Sequence, residues 1–463
     1  MSHQDDDHLR KNIATFKAIL DIAVPESVSS FVRHGNAILD PAWLASVAIT
    51  CFAWIPDKTL TERVAAACRV VGHVFGIDET VTRQGLMKAL ATCGPELVKL
   101  MIDALVVHII SLKGYWTQNG KVNVAVDGSK FAAPRTKENQ AYFAATRQKK
   151  NRRGTTGKKS KKRNRKSKPN QYKKSADESK ASTVQVLLTV FWHMTAGLPL
   201  RWMTSTSNGS ERRNAAEMLD TLPRNARLIG DAEYVGFPLW SKICDSGRSL
   251  LVRVGSNMTF LKGLGKYQLE NGIVYYWPAC AMDTNAPPLV LRLFQIHEGK
   301  KAIFLVTNEL DMDDATASRL YAARWKIEMF FRTVKQTCEQ AKLHCLRPEN
   351  VLTELNWNLL GTWYALFTGK QALLDEGVPL NELSPVKVMS AFTEVVASIH
   401  RHATGIPLFS QQLANAILND ESNRTSSKAS RNYPAKKKHR RCGEPIINYP
   451  TEEQRQKAKS LGI

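Results

Sequence analysis

The residues with the most chemical promise are Tyr321, Arg324, Glu328 and Lys335, set in the stretch LYAARWKIEMFFRTVK at 320–335. This stretch lacks Gly and Pro, is rich in helix formers, and can be capped by Asp313 or Asp314. At about 100° per residue the four side chains fall within an arc of roughly 60°. Ile327, Phe330, Phe331 and Val334 gather on another face, where a core would take them. An Arg-to-Glu pair on a solvated helix face would explain the polar side equally well, so other parts of the chain must decide. Asp127 ends the apolar run 122–126 of VNVAVDGS, and Asp231 ends ARLIGD at 226–231. Each reads as a buried strand with a carboxylate emerging at its tip. A lone Asp at a strand end is usually a turn or cap residue. Three carboxylates so placed, beside a basic stripe, are harder to explain as accident, and phosphodiester chemistry is one that would fit them. That chemistry needs an activated oxygen nucleophile, a stabilised leaving oxygen and relief of charge at phosphorus. Two Mg²⁺ ions about 3.5–4 Å apart on carboxylate oxygens supply all three.

The elements that must position these residues follow an α/β order. The N-terminal stretch reads as helices: Asp40-Pro41 opens one as cap and first residue, and Thr59 and Glu62 have capping-box spacing before a helix closed by Gly76. A short helix at 82–92, ended by Gly94, would make a helix-turn-helix with Arg83, Gln84 and Lys88 free to meet DNA, although plain bundles contain such pairs too. Pro95 then opens a further helix to about Leu112. Strands are expected at 122–126, 183–192, 198–204, 226–230 and 249–254, with helices at 210–222 and 237–245. A Gly-rich β-like segment spans 255–301, followed by a strand at 303–307. Beyond Pro348 the pattern is helical at 351–367, 385–400 and 410–419, and the chain ends in a basic arm and a short polar tail.

The net charge of +23 comes from 65 Lys and Arg against 42 Asp and Glu. Residues 147–174 hold fifteen of the basic residues and 424–441 eight more, neither with any acid, so these two tracts account for the whole excess. Such polar runs cannot form cores. They suit phosphate backbones, which they bind through counterion release without reading sequence; a solubilising loop is the plainer alternative. The apolar runs are too short to span a bilayer, residues 1–11 do not read as a signal peptide, and no membrane role is expected. The eight Cys are scattered without a C-x-x-C pair, as in reduced thiols of a cytoplasmic protein. Cys338, His344 and Cys345 lack the second ligand pair of a structural zinc site.

With VAVDGS, LIGDAEY and the Y-x2-R-x3-E-x6-K pattern at Tyr321, Arg324, Glu328 and Lys335, the chain resembles the DDE transposases of bacterial insertion sequences, in the insertion-sequence 4 group. The resemblance covers roughly 122–342. It implies an α/β fold: a ribonuclease-H-like mixed sheet flanked by helices, with a β-rich insertion before the Glu-bearing helix. The domains expected are a helical end-binding domain at 1–115, a catalytic core at 116–255 (with the basic insertion 145–180) and 303–345, the β-rich insertion at 256–302, a helical region at 346–420 and a basic tail at 421–463. It also implies roles: Asp127 bridging two Mg²⁺ ions (Mn²⁺ substituting), Asp231 and Glu328 holding one each, and Tyr321, Arg324 and Lys335 gripping DNA. Trp277 or Trp325 could stack on a flipped base. The expected activity is cut-and-paste transposition by a homodimer on transposon ends and target DNA, at the bacterial nucleoid. A metal-dependent nuclease without strand transfer, a catalytically silent transposase derivative and an RNA-binding basic protein are the alternatives.

Overall fold

The computed structural model describes residues 3–31, 39–56, 58–143, 184–268, 270–298, 301–339, 341–403, 406–418 and 443–463. The basic insertion 145–180 and the basic tract 424–441 lie outside the described residues.

Val122–Ala132 (β1) opens with a run whose apolar side chains Val122, Val124, Ala125 and Val126 are fully buried, as in a strand covered on both faces. Gln185–His193 (β2) pairs antiparallel with it and Leu198–Thr206 (β3) antiparallel with β2. On the other side Ala226–Gly230 (β4) and Ser249–Val254 (β5) join in parallel. The order β3-β2-β1-β4-β5, with helices Glu211–Met218 and Phe237–Asp245 following β3 and β4, is the expected mixed α/β core. Thr259–Leu261 (β6), Ile273–Tyr276 (β7), Leu289–Glu298 (β8) and Lys301–Thr307 (β9) account for the β-like segment. They continue the same sheet instead of forming a separate layer: β9 pairs antiparallel with β5, and the whole sheet has ten strands.

The tenth strand comes from the chain end. Ile446–Asn448 (β10) pairs in parallel with β6, and the helix Glu452–Ser460 starts from a capping box at Thr451 and buries Ala458. Lys457 donates to the carbonyl of Met282, and Lys262 stands over the Tyr449 ring. The short polar tail expected at the end of the sequence thus contains a docked strand and helix. Its apolar residues are few, and the backbone pairing that holds it has no periodic signature.

The N-terminal and C-terminal helices share one packed layer. Pro41–Ala53, capped by Asp40 through the amides of Ala42 and Trp43, crosses Pro348–Asp375 at Gly361. A Cβ on Gly361 would lie 2.2 Å from Cβ of Ala53 and 3.2 Å from Cγ2 of Ile49. Gly361→Ala must push two helices apart, and urea unfolding should show a loss of about 1–3 kcal/mol; no change would mean the crossing is loose.

The expected end at Gly94 and fresh start at Pro95 are corrected. Arg83–Ser111 is one 29-residue helix that runs through Gly94 and Pro95. Burial of Leu90, Leu97, Val98 and Met101 along one side outweighs the lost amide and the local steric cost of Pro95. Arg83, Gln84 and Lys88 are exposed on its first turns. Among the described residues no helix is long and apolar enough to cross a membrane.

Candidate active site

The pairing of β1 with β4 decides where the two aspartates stand. Ala125 is the last β1 residue in register with β4, opposite Ile229. Continuing that register by two residues brings Asp127 level with Asp231, at the point where β4 has ended and β1 runs on alone beside β2. Adjacent strands are about 4.8 Å apart, so both carboxylates emerge into the crevice beyond the carboxyl ends of the parallel strands, the usual place for a site in such sheets. Asp231 caps the turn Ala232–Tyr234 through the amide of Glu233 at 2.9 Å. Asp127 accepts from the amide of Gly128 at 2.9 Å.

The stretch 320–335 is corrected from one helix to three pieces. Asp314–Ala323, capped by Asp313, is followed by a break at Arg324 and Trp325, then Lys326–Arg332 and a wider π turn at Thr333–Thr337. Across the break the bonds reach back three residues: Trp325 N to Ala322 O at 3.3 Å, Ile327 N to Arg324 O at 3.1 Å, and Glu328 N to Trp325 O at 3.0 Å. Winding at three residues per turn rotates the later residues by about 20° per residue relative to an α-helix. The four polar residues therefore do not share one stripe. Tyr321 and Arg324 are partly buried, whereas Glu328 is exposed.

Arg324 does turn into the pocket. Its side chain is 11% exposed, its Nη1 lies 3.8 Å from Oδ2 of Asp127, and its guanidinium stands 5.4 Å over the Tyr321 ring. Nε and Nη1 are buried without a hydrogen-bond partner among the described residues. Lys335 meets β1 farther along, donating to Ser129 Oγ at 2.7 Å and lying 4.9 Å above the Phe131 ring; burial lowers its pKa. Tyr321 is pushed above the usual tyrosine range by burial, against the pull of Arg324 and of Arg253 on β5. Of the two candidate stacking tryptophans, Trp277 is buried, with its indole N–H donating to Ala286 O at 2.9 Å, while Trp325 is 50% exposed.

The electrostatics centre on Asp127. Burial pushes its carboxyl up to about 7; Arg324 and the Gly128 amide oppose the rise, while Asp231 and Glu211 add to it. Glu211, in the first turn of Glu211–Met218, is a site residue that sequence reasoning misses. In the sequence it looks like an ordinary acidic residue behind the Ser210 cap, and only the fold brings it beside β1. Tyr234 and Ser129, the last residues of LIGDAEY and VAVDGS, are further residues of the pocket to which the sequence reading gives no role.

Donor chemistry and geometry give different answers about a metal. Asp127, Asp231 and Glu211 are hard oxygen donors, and the latter two both add to the rise of the Asp127 carboxyl, donor chemistry of the kind that divalent cations prefer. Yet among the described residues no group of three or more His, Cys, Asp or Glu is arranged to hold a metal ion. Asp127, Asp231 and Glu328 are not assembled around a common point in this conformation, with Glu328 exposed beyond the helix break.

Comparisons with known proteins bear on this arrangement. A search of the curated proteins finds no match. Among solved structures, the chain is similar to the piggyBac transposase synaptic complex with hairpin DNA. That match has 11% identity, covers 92% of this chain and 88% of that one, and has a TM-score of 0.37. Residues 118–362 match the family model described as Transposase DDE domain. That span begins just before β1, ends within Pro348–Asp375 and takes in Asp127, Asp231 and Glu328. It covers more than half of the 463 residues, and the chain belongs to the transposase DDE domain family.

Proposed function

We propose that this transposase is of the insertion-sequence 4 type, binding the terminal inverted repeats of its element, cleaving the phosphodiester at each end and joining the 3′-hydroxyls to target DNA. The observation that carries the reading is the emergence of Asp127 and Asp231 at one level of the sheet, with the buried Arg324 guanidinium beside them. Asp127, Asp231 and Glu328 are the ligands for Mg²⁺, with Mn²⁺ able to substitute. When bound, the ions would activate the attacking oxygen and offset charge at the scissile phosphate. Glu328, exposed on Lys326–Arg332 just past Arg324, would complete the set.

In this reading the two buried nitrogens of Arg324 that make no hydrogen bond, Nε and Nη1, are reserved for a phosphate flanking the scissile bond. A guanidinium fork matches phosphate better than a point charge does. Arg324→Ala should weaken binding of cleaved-end DNA by about 1–3 kcal/mol and reduce strand transfer, and Arg324→Lys should not restore either. Unchanged affinity and salt dependence in a titration would exclude the clamp. Lys335, Tyr321 and the exposed Trp325 are assigned to the same DNA segment, the N-terminal helices and the two basic tracts to the rest of the end, and a homodimer to the joining of two ends. An assay that scores joined products on a target plasmid tests the reading directly. Cleavage without any joined product would reduce the protein to a nuclease.

A further inference from the structure

One strand beyond the two aspartates the sheet carries a cation. Gly230 on β4 pairs with Val252 on β5, so one residue later Asp231 stands level with Arg253. In-register neighbours leave a sheet on the same face. Asp127, Asp231 and Arg253 therefore form one row across β1, β4 and β5, spanning about 10 Å at the usual strand spacing. Arg253 is half-buried, in a strand whose Leu250, Leu251, Val252 and Val254 all lie inside. It sits close enough to Tyr321 to oppose the upward push of burial on that hydroxyl. Arg324 stands 5.4 Å over the ring of the same tyrosine. Two guanidinium groups from distant parts of the chain flank one phenol beside the aspartates.

A cation in such a place costs stability unless a negative group shares it. Two other arginines of this region show how the fold meets that need. Arg227, near the start of β4, donates to Glu309 Oε1 at 3.2 Å and to Asn123 Oδ1 at 3.0 Å. Arg248, just before β5, donates to the carbonyls of Leu222 and Pro223. Arg253 forms no ion pair with an acid among the described residues, and what it reaches is the Tyr321 hydroxyl. We propose that Arg253 is a further DNA-binding residue of the active site, taking a backbone phosphate beside the scissile bond as the second guanidinium of a clamp with Arg324. The planar fork of a guanidinium suits that task, since it can donate to two phosphate oxygens at once. The inference rests on the DNA-cleaving role given under Proposed function.

Methylphosphonate linkages, which carry no charge, test the contact one phosphate at a time. The full-length protein is titrated in EDTA with duplex spanning the boundary of the element that carries its gene. The duplex is unmodified or has a single such linkage at one position flanking the scissile bond. Wild type should lose about 10-fold in affinity at the position Arg253 meets, the scale of one charge-assisted hydrogen bond. Arg253→Gln should lose about as much on unmodified DNA and nothing further at that position, while still responding to the other linkages. A purely structural arginine predicts a lower unfolding temperature and a linkage profile identical with wild type, and that profile overturns the proposal. If Arg253→Gln does not fold, Arg253→Lys takes its place. Lysine keeps the charge without the fork, so an unchanged profile overturns the proposal in the same way. A wild type that prefers the boundary but responds to no linkage overturns the role of Arg253 alone. A wild type that binds the boundary no better than unrelated duplex overturns the reading under Proposed function as well.

Discussion

Alanine at Asp127, Asp231 or Glu328 should each lower cleavage of transposon-end DNA by about 10³-fold or more, the usual scale for removing a group on which the chemical step depends, while a gel shift with the same DNA stays close to wild type. The three cases are not equivalent. Asp127 and Asp231 emerge at one level where β1 and β4 part. Asp127→Ala takes away the partner of Arg324 and Asp231→Ala the cap of the turn Ala232–Tyr234, so each should be checked for folding by thermal unfolding beside the cleavage assay. Glu328 is exposed on the far side of the break at Arg324 and Trp325, so its loss should leave the fold and the unbound pocket untouched. A dead but stable Glu328→Ala would therefore show that Glu328 serves the reaction and not the fold. An active one, with Asp127→Ala and Asp231→Ala dead, would mean that a different third acid serves.

Glu354→Ala should lower stability by about 2–4 kcal/mol. Glu354 is 4% exposed and sits on the helix Pro348–Asp375. It accepts from the amides of His344 at 2.9 Å and Cys345 at 3.0 Å, and from Nδ1 of His344 at 2.9 Å. Two part-buried amides left without an acceptor account for most of the loss, at about 1–3 kcal/mol each at the fully desolvated limit; the exposed His344 ring recovers water and adds little. Just before this loop, Leu343 N bonds to Ala132 O at 2.8 Å, so Glu354 anchors the far end of β1 against the helical layer. Thermal or denaturant unfolding checks the figure, and a loss below about 1 kcal/mol would show that the loop re-forms around water.

The sheet and its two aspartates are legible because burial leaves a direct mark on sequence. Five consecutive residues from Val122 and five from Ala226 lie wholly inside, and Asp interrupts each run where the strand leaves the core. Caps are equally plain, at Asp40, Thr59 and Asp313, because they depend on neighbours in the chain. The features that escape a sequence reading depend on distant contacts. Nothing local marks the break at Arg324 and Trp325, since every residue there is an adequate helix former. The contacts of Lys335 with Ser129 and Phe131 and of Arg324 with Asp127 arise only after β1 and the later helix have met. The local cost of Pro95 suggests a boundary, whereas a long apolar face decides the outcome. Glu211 is hidden for the same reason, as its importance lies in what β1 and Tyr234 bring to it.

In the proposed function, Asp127, Asp231 and Glu328 cut DNA at the ends of a mobile element with the help of divalent ions. The most direct measurement incubates the full-length protein with labelled duplex spanning the boundary of the element that carries its gene, in Mg²⁺ and in EDTA, beside Asp127→Ala. Nicks confined to the boundary, present only with wild type and Mg²⁺, are the predicted result. Boundary cleavage that persists in EDTA, or that Asp127→Ala performs as well as wild type, would contradict it.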